Sequence, residues 1–155
     1  MTKKATFGGG CFWGVEVAFR NIDGVKDAIA GYTGGSAERP SYQEVCTGRT
    51  GHAEAVEVTY DPSEVSYDEL LDAFWELHDP TQLNRQGPDV GTQYRSAIFV
   101  HDEEQRAAAT AARERVQERI GRPVVTEVVD AGPFWRAEDY HQRYLEKRGL
   151  ATCKV

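Results

Sequence analysis

Residues 4–22 read KATFGGGCFWGVEVAFRNI, and this stretch decides the kind of fold that the chain adopts. Residues 4–7 predict a short strand, and three glycines follow it directly. Apolar residues then recur at spacings of three and four, the stripe of an amphipathic helix: Phe12, Val15, Phe19 and Ile22. A strand that turns through glycines into a helix predicts a fold that mixes the two, with Cys11 at the junction.

Outward from this unit, strand-like and helix-like stretches continue to alternate. Strands are predicted at 25–32, 53–60, 96–100 and 124–129, and polar loops at 33–51 and 81–94. Ser66 and Glu69 form a capping box that starts one helix, and further helices are predicted at 103–120 and 137–148. Because no repeat or linker divides the chain, we expect one catalytic domain over 1–155, with a flexible tail at about 149–155. Its class is α/β (α+β type), a mixed central sheet with helices packed around it.

The composition limits the partners that the protein can have. The 155 residues carry a formal net charge of -7, whereas a nucleic-acid-binding protein needs a basic surface. No stretch approaches the roughly 18 apolar residues of a membrane span, and the first twenty residues contain no apolar core of a signal peptide. We therefore expect a cytoplasmic protein, a monomer, that binds neither nucleic acid nor membrane. Three cysteines in a reducing compartment are expected to be free or catalytic, and no spacing predicts a metal site.

The segment 8–14, GGGCFWG, points most clearly to chemistry. Glycines let the backbone approach a substrate closely, and a helix N-terminus carries about half a positive charge, which favours a thiolate. We therefore predict that Cys11 is a nucleophile whose pKa lies below its ordinary value. Two alternatives are a small buried cysteine and a phosphate-binding loop; the second is disfavoured because no Lys-Ser or Lys-Thr follows the glycines.

Strand parity places an acid on an apolar face. In the predicted strand 53–60, residues two apart share a face, so Glu54 lies on the apolar face of the strand, together with Val56, Val58 and Tyr60. Burial penalises a carboxylate and raises its pKa, which makes Glu54 a candidate proton donor at neutral pH. The residues alone equally allow a solvated Glu54 at a frayed strand end. His52 shares this face and is a candidate base, although a structural histidine is the commoner case.

Ordered blocks over nearly the whole chain resemble those of one known family. They are residues 10–14, GCFWG; 31–35, GYTGG; 42–46, YQEVC; 48; 50–55, TGHAEA; 78–80, HDP; 91–96, GTQYRS; and 137–142, AEDYHQ. The family is peptide methionine sulfoxide reductase A. The resemblance implies an α/β fold, a two-layer sandwich with a ferredoxin-like core. It implies reduction of the S epimer of methionine sulfoxide, free or in oxidised proteins and peptides, with thioredoxin as reductant and no metal or cofactor.

The resemblance also implies a role for each matching residue. Cys11 attacks the sulfoxide sulfur and becomes a sulfenic acid, and Glu54 protonates the sulfoxide oxygen. The tyrosine hydroxyls of Tyr42 and Tyr94 hydrogen-bond that oxygen, although by themselves these residues are more often packing residues. The remaining residues bind substrate: Phe12 and Trp13 enclose the S-methyl group, and Asp89, otherwise a plausible turn residue, holds the methionine backbone.

The second thiol is the least determined part of the prediction. We expect Cys153, near the end of the chain, to resolve the sulfenic acid as a disulfide with Cys11, with Cys46 as the competitor. The residues before Cys153 depart from the family, which places Asn-Pro and a Gly-Tyr pair there. Two other functions remain open from the residues: a cysteine hydrolase with His52 or His141 as base, and a non-catalytic redox sensor.

Overall fold

Strands and helices alternate along the chain, as the sequence predicts. The computed structural model describes residues 1–148. Its strands are β1 (Lys3–Gly8), β2 (Val25–Thr33), β3 (Ala53–Tyr60), β4 (Arg85–Gln86), β5 (Asp89–Val90), β6 (Ala97–Val100), β7 (Glu127–Asp130) and β8 (Trp135–Arg136). Its α-helices are α1 (Phe12–Arg20), α2 (Tyr42–Cys46), α3 (Tyr67–Leu77), α4 (Glu103–Ile120) and α5 (Tyr144–Lys147), and 3-10 turns form at Thr92–Tyr94 and Asp139–His141.

The main sheet has the strand order β7-β6-β1-β3-β2-β8. Neighbouring strands run antiparallel except β6 and β7, which are parallel, so the sheet is mixed. The chain order β1-α1-β2-β3-α3-β6 combined with the spatial order β6-β1-β3-β2 is the split βαβ arrangement of a ferredoxin-like core. This confirms the predicted α/β class with a mixed central sheet. Strand β3 lies between β1 and β2, at the centre of that core.

Two apolar layers hold the sheet. Helices α1, α3 and α4 cover one face, where Phe7 stacks on Phe19 and Phe74 with ring centroids 4.9 and 5.2 Å apart. A smaller cluster that includes Ala53 and Phe99 covers the other face. Each buried Phe contributes about 2 to 3 kcal/mol by leaving water. Because both faces are covered near the start of β3, a side chain there is buried whichever way it points.

Some predicted boundaries are right and others are wrong. Strand 53–60 and helix 103–120 match β3 and α4, and α3 begins with the predicted capping box. The predicted loop 33–51 is wrong in part, because a second capping box, Ser41 with Glu44, starts α2 inside it. The predicted strand 124–129 begins later, at β7, and the loop 81–94 contains the β4–β5 hairpin.

The predicted helix 137–148 is wrong, because tertiary contacts break it. The Gln142 side chain bonds both backbone groups of Ala30 on β2, and Glu16 on α1 accepts from the Arg143 N–H at 2.8 Å. Arg143 adopts a left-handed backbone with φ of 54°, which ends any regular helix there. Only α5 and a 3-10 turn remain helical in this segment. Within residues 1–148, no helix is both long and apolar enough to cross a membrane.

Candidate active site

The strand-to-helix turn between β1 and α1 positions Cys11. Gly10 has a φ of +94°, a backbone conformation that glycine adopts without strain, and Cys11 is the N-cap of α1. A Cβ on Gly9 would stand 3.1 Å from Cγ of the His78 ring, closer than side chains normally pack. The glycines therefore serve to seat the backbone against its neighbours, and Cys11 emerges half-buried at the start of the helix.

His78 forms the wall behind this turn. Its Nδ1 faces the Phe74 carbonyl oxygen at 2.7 Å and its Nε2 faces the Ser96 hydroxyl at 2.7 Å, and Ser96 in turn bonds Thr126. These contacts assign the proton to Nδ1, so Nε2 accepts from Ser96. Burial lowers the pKa of His78 to about 4, so the ring is neutral at physiological pH and acts as a rigid support.

Glu54 enters the site from β3. Its side chain is 1% exposed, and Oε1 accepts a hydrogen bond from the Phe12 N–H at 3.2 Å. Across residues 1–148, its other oxygen, Oε2, is buried without a hydrogen-bond partner. Burial, and to a lesser degree the charge of Asp89, raises the pKa of Glu54 to about 8, against the smaller opposing effect of the Phe12 N–H. The carboxyl is therefore buried and protonated at pH 7, which is the first of the two alternatives that the sequence left open.

The pKa of Cys11 does not follow the prediction. Burial raises it to about 12, and the charges of Glu54 and Asp89 add to the increase. The backbone N–H groups of Trp13 and Gly14 act in the opposite direction, as expected at a helix N-terminus, but their effect is smaller. The prediction of a resting thiolate is therefore wrong: removing the sulfur from water outweighs the charge of the helix end, and Cys11 rests as a thiol.

Asp89 and Tyr94 lie close to this pair. Asp89, the first residue of β5, is half-buried, and its charge raises the pKa of Cys11, Glu54 and Tyr94 alike. Burial raises the pKa of Tyr94 to about 12, with a further increase from the charge of Glu54. Tyr94 therefore keeps its proton at neutral pH and remains a hydrogen-bond donor beside the acid.

Tyr42 approaches from α2. Burial raises its pKa, and its hydroxyl hydrogen-bonds the thiol of Cys46, four residues along the helix. The charge of Glu54 also raises the pKa of Tyr42, which places the two residues in the same site. The structure thus gathers both predicted tyrosines, Asp89, Glu54 and Cys11 into one site.

The two aromatic residues after Cys11 have different surroundings. Phe12 is fully buried, and its ring packs on Tyr32 and His141, with centroids 5.7 and 5.0 Å away. Trp13 is half-buried; its Nε1 donates to Nδ1 of His141 at 3.0 Å, and its ring stacks on Tyr144 at 3.7 Å. The indole is thereby fixed in direction beside the thiol, whereas Phe12 contributes from beneath the surface.

Three further residues organise the site: Glu138, Tyr32 and His141. Sequence reasoning gave no role to the first two and considered His141 only as the base of a hydrolase. One oxygen of Glu138 accepts from the Tyr32 hydroxyl at 2.8 Å, and the other accepts from the Tyr42 N–H at 2.9 Å, so this carboxylate anchors the start of α2. Burial opposes ionisation of Glu138, but these hydrogen bonds outweigh it, and its pKa lies below the ordinary value. The signals in the sequence were the two blocks that contain these residues, GYTGG at 31–35 and AEDYHQ at 137–142.

Neither candidate histidine has the geometry of a base for Cys11. His52 accepts from the Gly35 N–H at 3.0 Å through Nδ1 and faces the Ala37 carbonyl at 2.6 Å through Nε2, so it holds the loop after β2. His141 uses Nδ1 for Trp13, and its Nε2 is buried with no hydrogen-bond partner in the described part of the chain. Among the described residues, no group of three or more His, Cys, Asp or Glu side chains is placed to hold a metal. Cys46 is exposed, and Cys153 lies outside the described residues.

Comparisons with known proteins agree with one another. Residues 3–155 match the family model for peptide methionine sulfoxide reductase. Peptide methionine sulfoxide reductase MsrA of Acidobacterium capsulatum is 61% identical, over 98% of this chain and 99% of that protein. Reduced Mxr1 of Saccharomyces cerevisiae superposes with a TM-score of 0.91 at 38% identity, over 96% of this chain and 86% of that one. Mxr1 in complex with Trx2 superposes with a TM-score of 0.67 at 27% identity, over 92% and 84%.

Proposed function

This chain belongs to the peptide methionine sulfoxide reductase family, type A, and from that premise we propose how its residues carry out the reaction. It reduces methionine sulfoxide to methionine, and thioredoxin returns the enzyme to its reduced form. In our proposal Cys11 is the nucleophile and Glu54 the acid. The observation that carries the proposal is a protonated carboxyl, buried beside the thiol, whose Oε2 has no partner within residues 1–148.

The first step needs both groups. A sulfoxide oxygen leaves only once it is protonated, and a buried carboxylic acid with a pKa of about 8 can donate that proton at neutral pH. The sulfur of Cys11 then attacks the substrate sulfur, and the S–O bond breaks. The released oxygen adds to the sulfur of Cys11, and the new S–S bond breaks to expel methionine. In balance, a thiol and a sulfoxide become a sulfenic acid on Cys11 and a thioether, methionine.

The proton of Cys11 completes the cycle. The charge of Glu54 is one cause of the high pKa of Cys11, so the protonated acid leaves the thiol easier to ionise than the carboxylate does. Once Glu54 has given its proton to the substrate oxygen, it can take the proton that Cys11 loses. Glu54 therefore ends the step as it began, neutral and ready for the next substrate.

The other site residues bind and orient the substrate. The hydroxyls of Tyr42 and Tyr94, both protonated at neutral pH, donate to the sulfoxide oxygen beside Glu54. Trp13, held by His141, packs on the S-methyl group with Phe12 beneath it. The substrate is the S epimer, as the resemblance to the family implies. Asp89 accepts from the backbone N–H of the bound methionine.

The sulfenic acid is resolved by a second thiol. Attack by Cys153 on the sulfenic sulfur of Cys11 forms a disulfide and releases water, and a thioredoxin dithiol then reduces the disulfide by exchange. A cytoplasmic location completes the proposal. It is supported by the exposed free thiol of Cys46, because exposed thiols persist in reducing compartments.

Single turnover of the pre-reduced protein tests these assignments. We expect one equivalent of S-epimer sulfoxide to be reduced without thioredoxin, followed by a Cys11–Cys153 disulfide in a peptide mass map. Cys11→Ser abolishes the turnover, whereas Cys46→Ser, the matched control, retains it. A Cys11→Ser protein with wild-type activity would refute the mechanism, and a Cys11–Cys46 disulfide would refute only the choice of resolving thiol.

A further inference from the structure

A groove of about 640 Å³ begins beside the active site and has no part in the reduction itself. At one end it is bounded by Gly9 and by Asp89, whose charge acts on Cys11. It runs past the end of α3 to Ile120 at the end of α4. Its size is in the ordinary range of binding pockets. Because a protein-bound methionine sulfoxide reaches Cys11 as part of a longer chain, the residues next to it must lie on a surface that adjoins this site.

Trp75 forms one wall of the groove and is 8% exposed. Its Nε1 is itself buried, without a partner among the residues that the structure describes, so its side chain offers only apolar ring surface. The neighbouring lining is also largely apolar: Leu77, Pro80, Pro88 and Ile120. A wall of this kind suits the apolar parts of a short stretch of polypeptide.

The charge of the groove is negative. Glu76, Asp79 and Asp89 line it, and within the described chain no Lys or Arg does. Asp79 accepts from the N–H and hydroxyl of Thr81 and lies near Arg122. Glu76 is different, because it is exposed and forms no ion pair in the described part of the protein. A cation bound in the groove could therefore pair with the carboxylate of Glu76 without displacing another positive charge.

The position of Glu76 is unfavourable for the helix that carries it. It is the second-last residue of α3, whose last turn contains no basic residue. The C-terminus of a helix carries partial negative charge, so a carboxylate there is repelled unless something positive is nearby. The folded chain alone gives no benefit from this charge, whereas a cationic ligand in the groove would.

We propose that the groove binds the residues of the oxidised polypeptide that flank the methionine sulfoxide, and that it favours a lysine or arginine there. That segment packs against the apolar wall formed by Trp75 and Leu77, and its cationic side chain pairs with Glu76. This inference rests on the proposed function, because it takes Cys11 as the point where the sulfoxide is held. It adds a substrate preference that the chemistry at sulfur does not require.

The test compares short substrates in single turnovers without thioredoxin. The substrates are acetylated, amidated tripeptides with Lys or Glu immediately before or after methionine sulfoxide, and acetyl-methionine-sulfoxide methylamide as the reference. The proteins are wild type, Glu76→Gln, Glu76→Lys and Glu104→Gln. Glu104 is exposed at the opposite end of α4 from Ile120, so it controls for the overall charge of the protein. Each second-order rate constant is divided by that protein's own value on the reference.

We expect the wild type to prefer Lys over Glu on at least one side of the sulfoxide. A charge pair about 4 Å apart in water changes an equilibrium about five-fold, so Glu76→Gln lowers the relative rate of the Lys peptide about five-fold at low salt. Glu76→Lys inverts the preference, and Glu104→Gln leaves it unchanged. Equal ratios in wild type and Glu76→Gln, or equal changes in Glu76→Gln and Glu104→Gln, would overturn the groove proposal. The same substrates are also compared in steady-state turnover with thioredoxin. An effect of Glu76→Gln that is confined to this second assay would overturn the groove proposal too, since the groove would then bind the reductant. Failure of wild type to reduce even the reference would instead count against the proposed function.

Discussion

Replacing Glu54 by Gln should make the protein more stable while it removes the proposed catalytic acid. Raising the pKa of a buried carboxyl from 4.5 to about 8 penalises its ionised form in the folded state by about 5 kcal/mol, at 1.36 kcal/mol per pH unit. The folded state binds more protons than the unfolded state between these two values, so stability falls as the pH rises through this window. At pH 7 the unfolded carboxyl is ionised and the folded one mostly is not, which leaves a penalty of about 3 kcal/mol.

Gln reproduces the neutral carboxyl in shape, with Oε1 free to accept from the Phe12 N–H. The variant therefore escapes the penalty at every pH. We expect the gap in the free energy of unfolding between Glu54→Gln and wild type to be about 1 kcal/mol at pH 5 and about 4 kcal/mol at pH 8. Urea unfolding at pH 5, 6, 7 and 8 measures it directly, and single turnover of methionine sulfoxide measures the accompanying loss of rate.

The matched control is Glu57→Gln on the opposite face of the same strand. Glu57 pairs with Lys4 at 2.9 Å, and the lysine side chain of that pair is 55% exposed, so its loss changes stability by 1 kcal/mol or less. A gap between Glu54→Gln and wild type that does not grow between pH 5 and 8 would refute the raised pKa. A Glu54→Gln variant with wild-type rates would refute the role of Glu54 as the acid while leaving its burial intact.

Three further predictions concern the thiol, its neighbours and the fold. At pH 8 iodoacetamide should modify the exposed Cys46 well before Cys11, because burial, and to a lesser degree the charge of Glu54, raises the pKa of Cys11 to about 12. Mass mapping of the modified peptides measures the two rates, and faster labelling of Cys11 would contradict the resting thiol. His141→Phe removes the acceptor of the Trp13 N–H and also removes the unpaired Nε2 of His141. These opposing effects of about 1 to 3 kcal/mol each should leave the free energy of unfolding in urea little changed, whereas kcat/KM should fall because Trp13 loses its fixed direction; an unchanged kcat/KM would show that the bond has no effect. Ser66→Ala removes the N-cap acceptor of α3 and should lower the free energy of unfolding in urea by about 1 kcal/mol, with kcat/KM unchanged. A loss of activity would mean that α3 does more than support the sheet.

Local signals in the sequence were enough to predict the centre of the fold. Strand 53–60 alternates clearly, and the Ser66–Glu69 capping box is a local contact, so both were predicted with correct limits. The end of the chain was not, because Arg143 takes its left-handed backbone through bonds to Glu16, more than a hundred residues away. Helical periodicity in the sequence carries no information about such contacts, and these contacts determine the structure of residues 137–148.

The site divides in the same way. Parity on one strand predicts where Glu54 points, and burial then fixes the direction of its pKa. The pKa of Cys11 depends on a balance between the helix end and everything packed around the sulfur, including Glu54 and Asp89. A helix N-terminus is visible in the sequence, whereas those neighbours are brought together only by the fold. The prediction therefore considered only the helix N-terminus and omitted burial, which has the larger effect on the pKa of Cys11.

In the proposed mechanism, an unpaired polar atom of the site distinguishes oxidised from reduced methionine. Within residues 1–148, both Oε2 of Glu54 and Nε2 of His141 are buried without partners, and each such group costs about 1 to 3 kcal/mol. In its protonated state, Glu54 has an O–H to donate and needs an acceptor. A sulfoxide oxygen is a strong acceptor, whereas the thioether of methionine is a weak one. Binding of the substrate therefore gives the O–H of Glu54 an acceptor and removes the free-energy cost of the unpaired group. This cost returns once the oxygen has left the substrate. In this proposal, the carboxyl that protonates the substrate also weakens the binding of the product methionine.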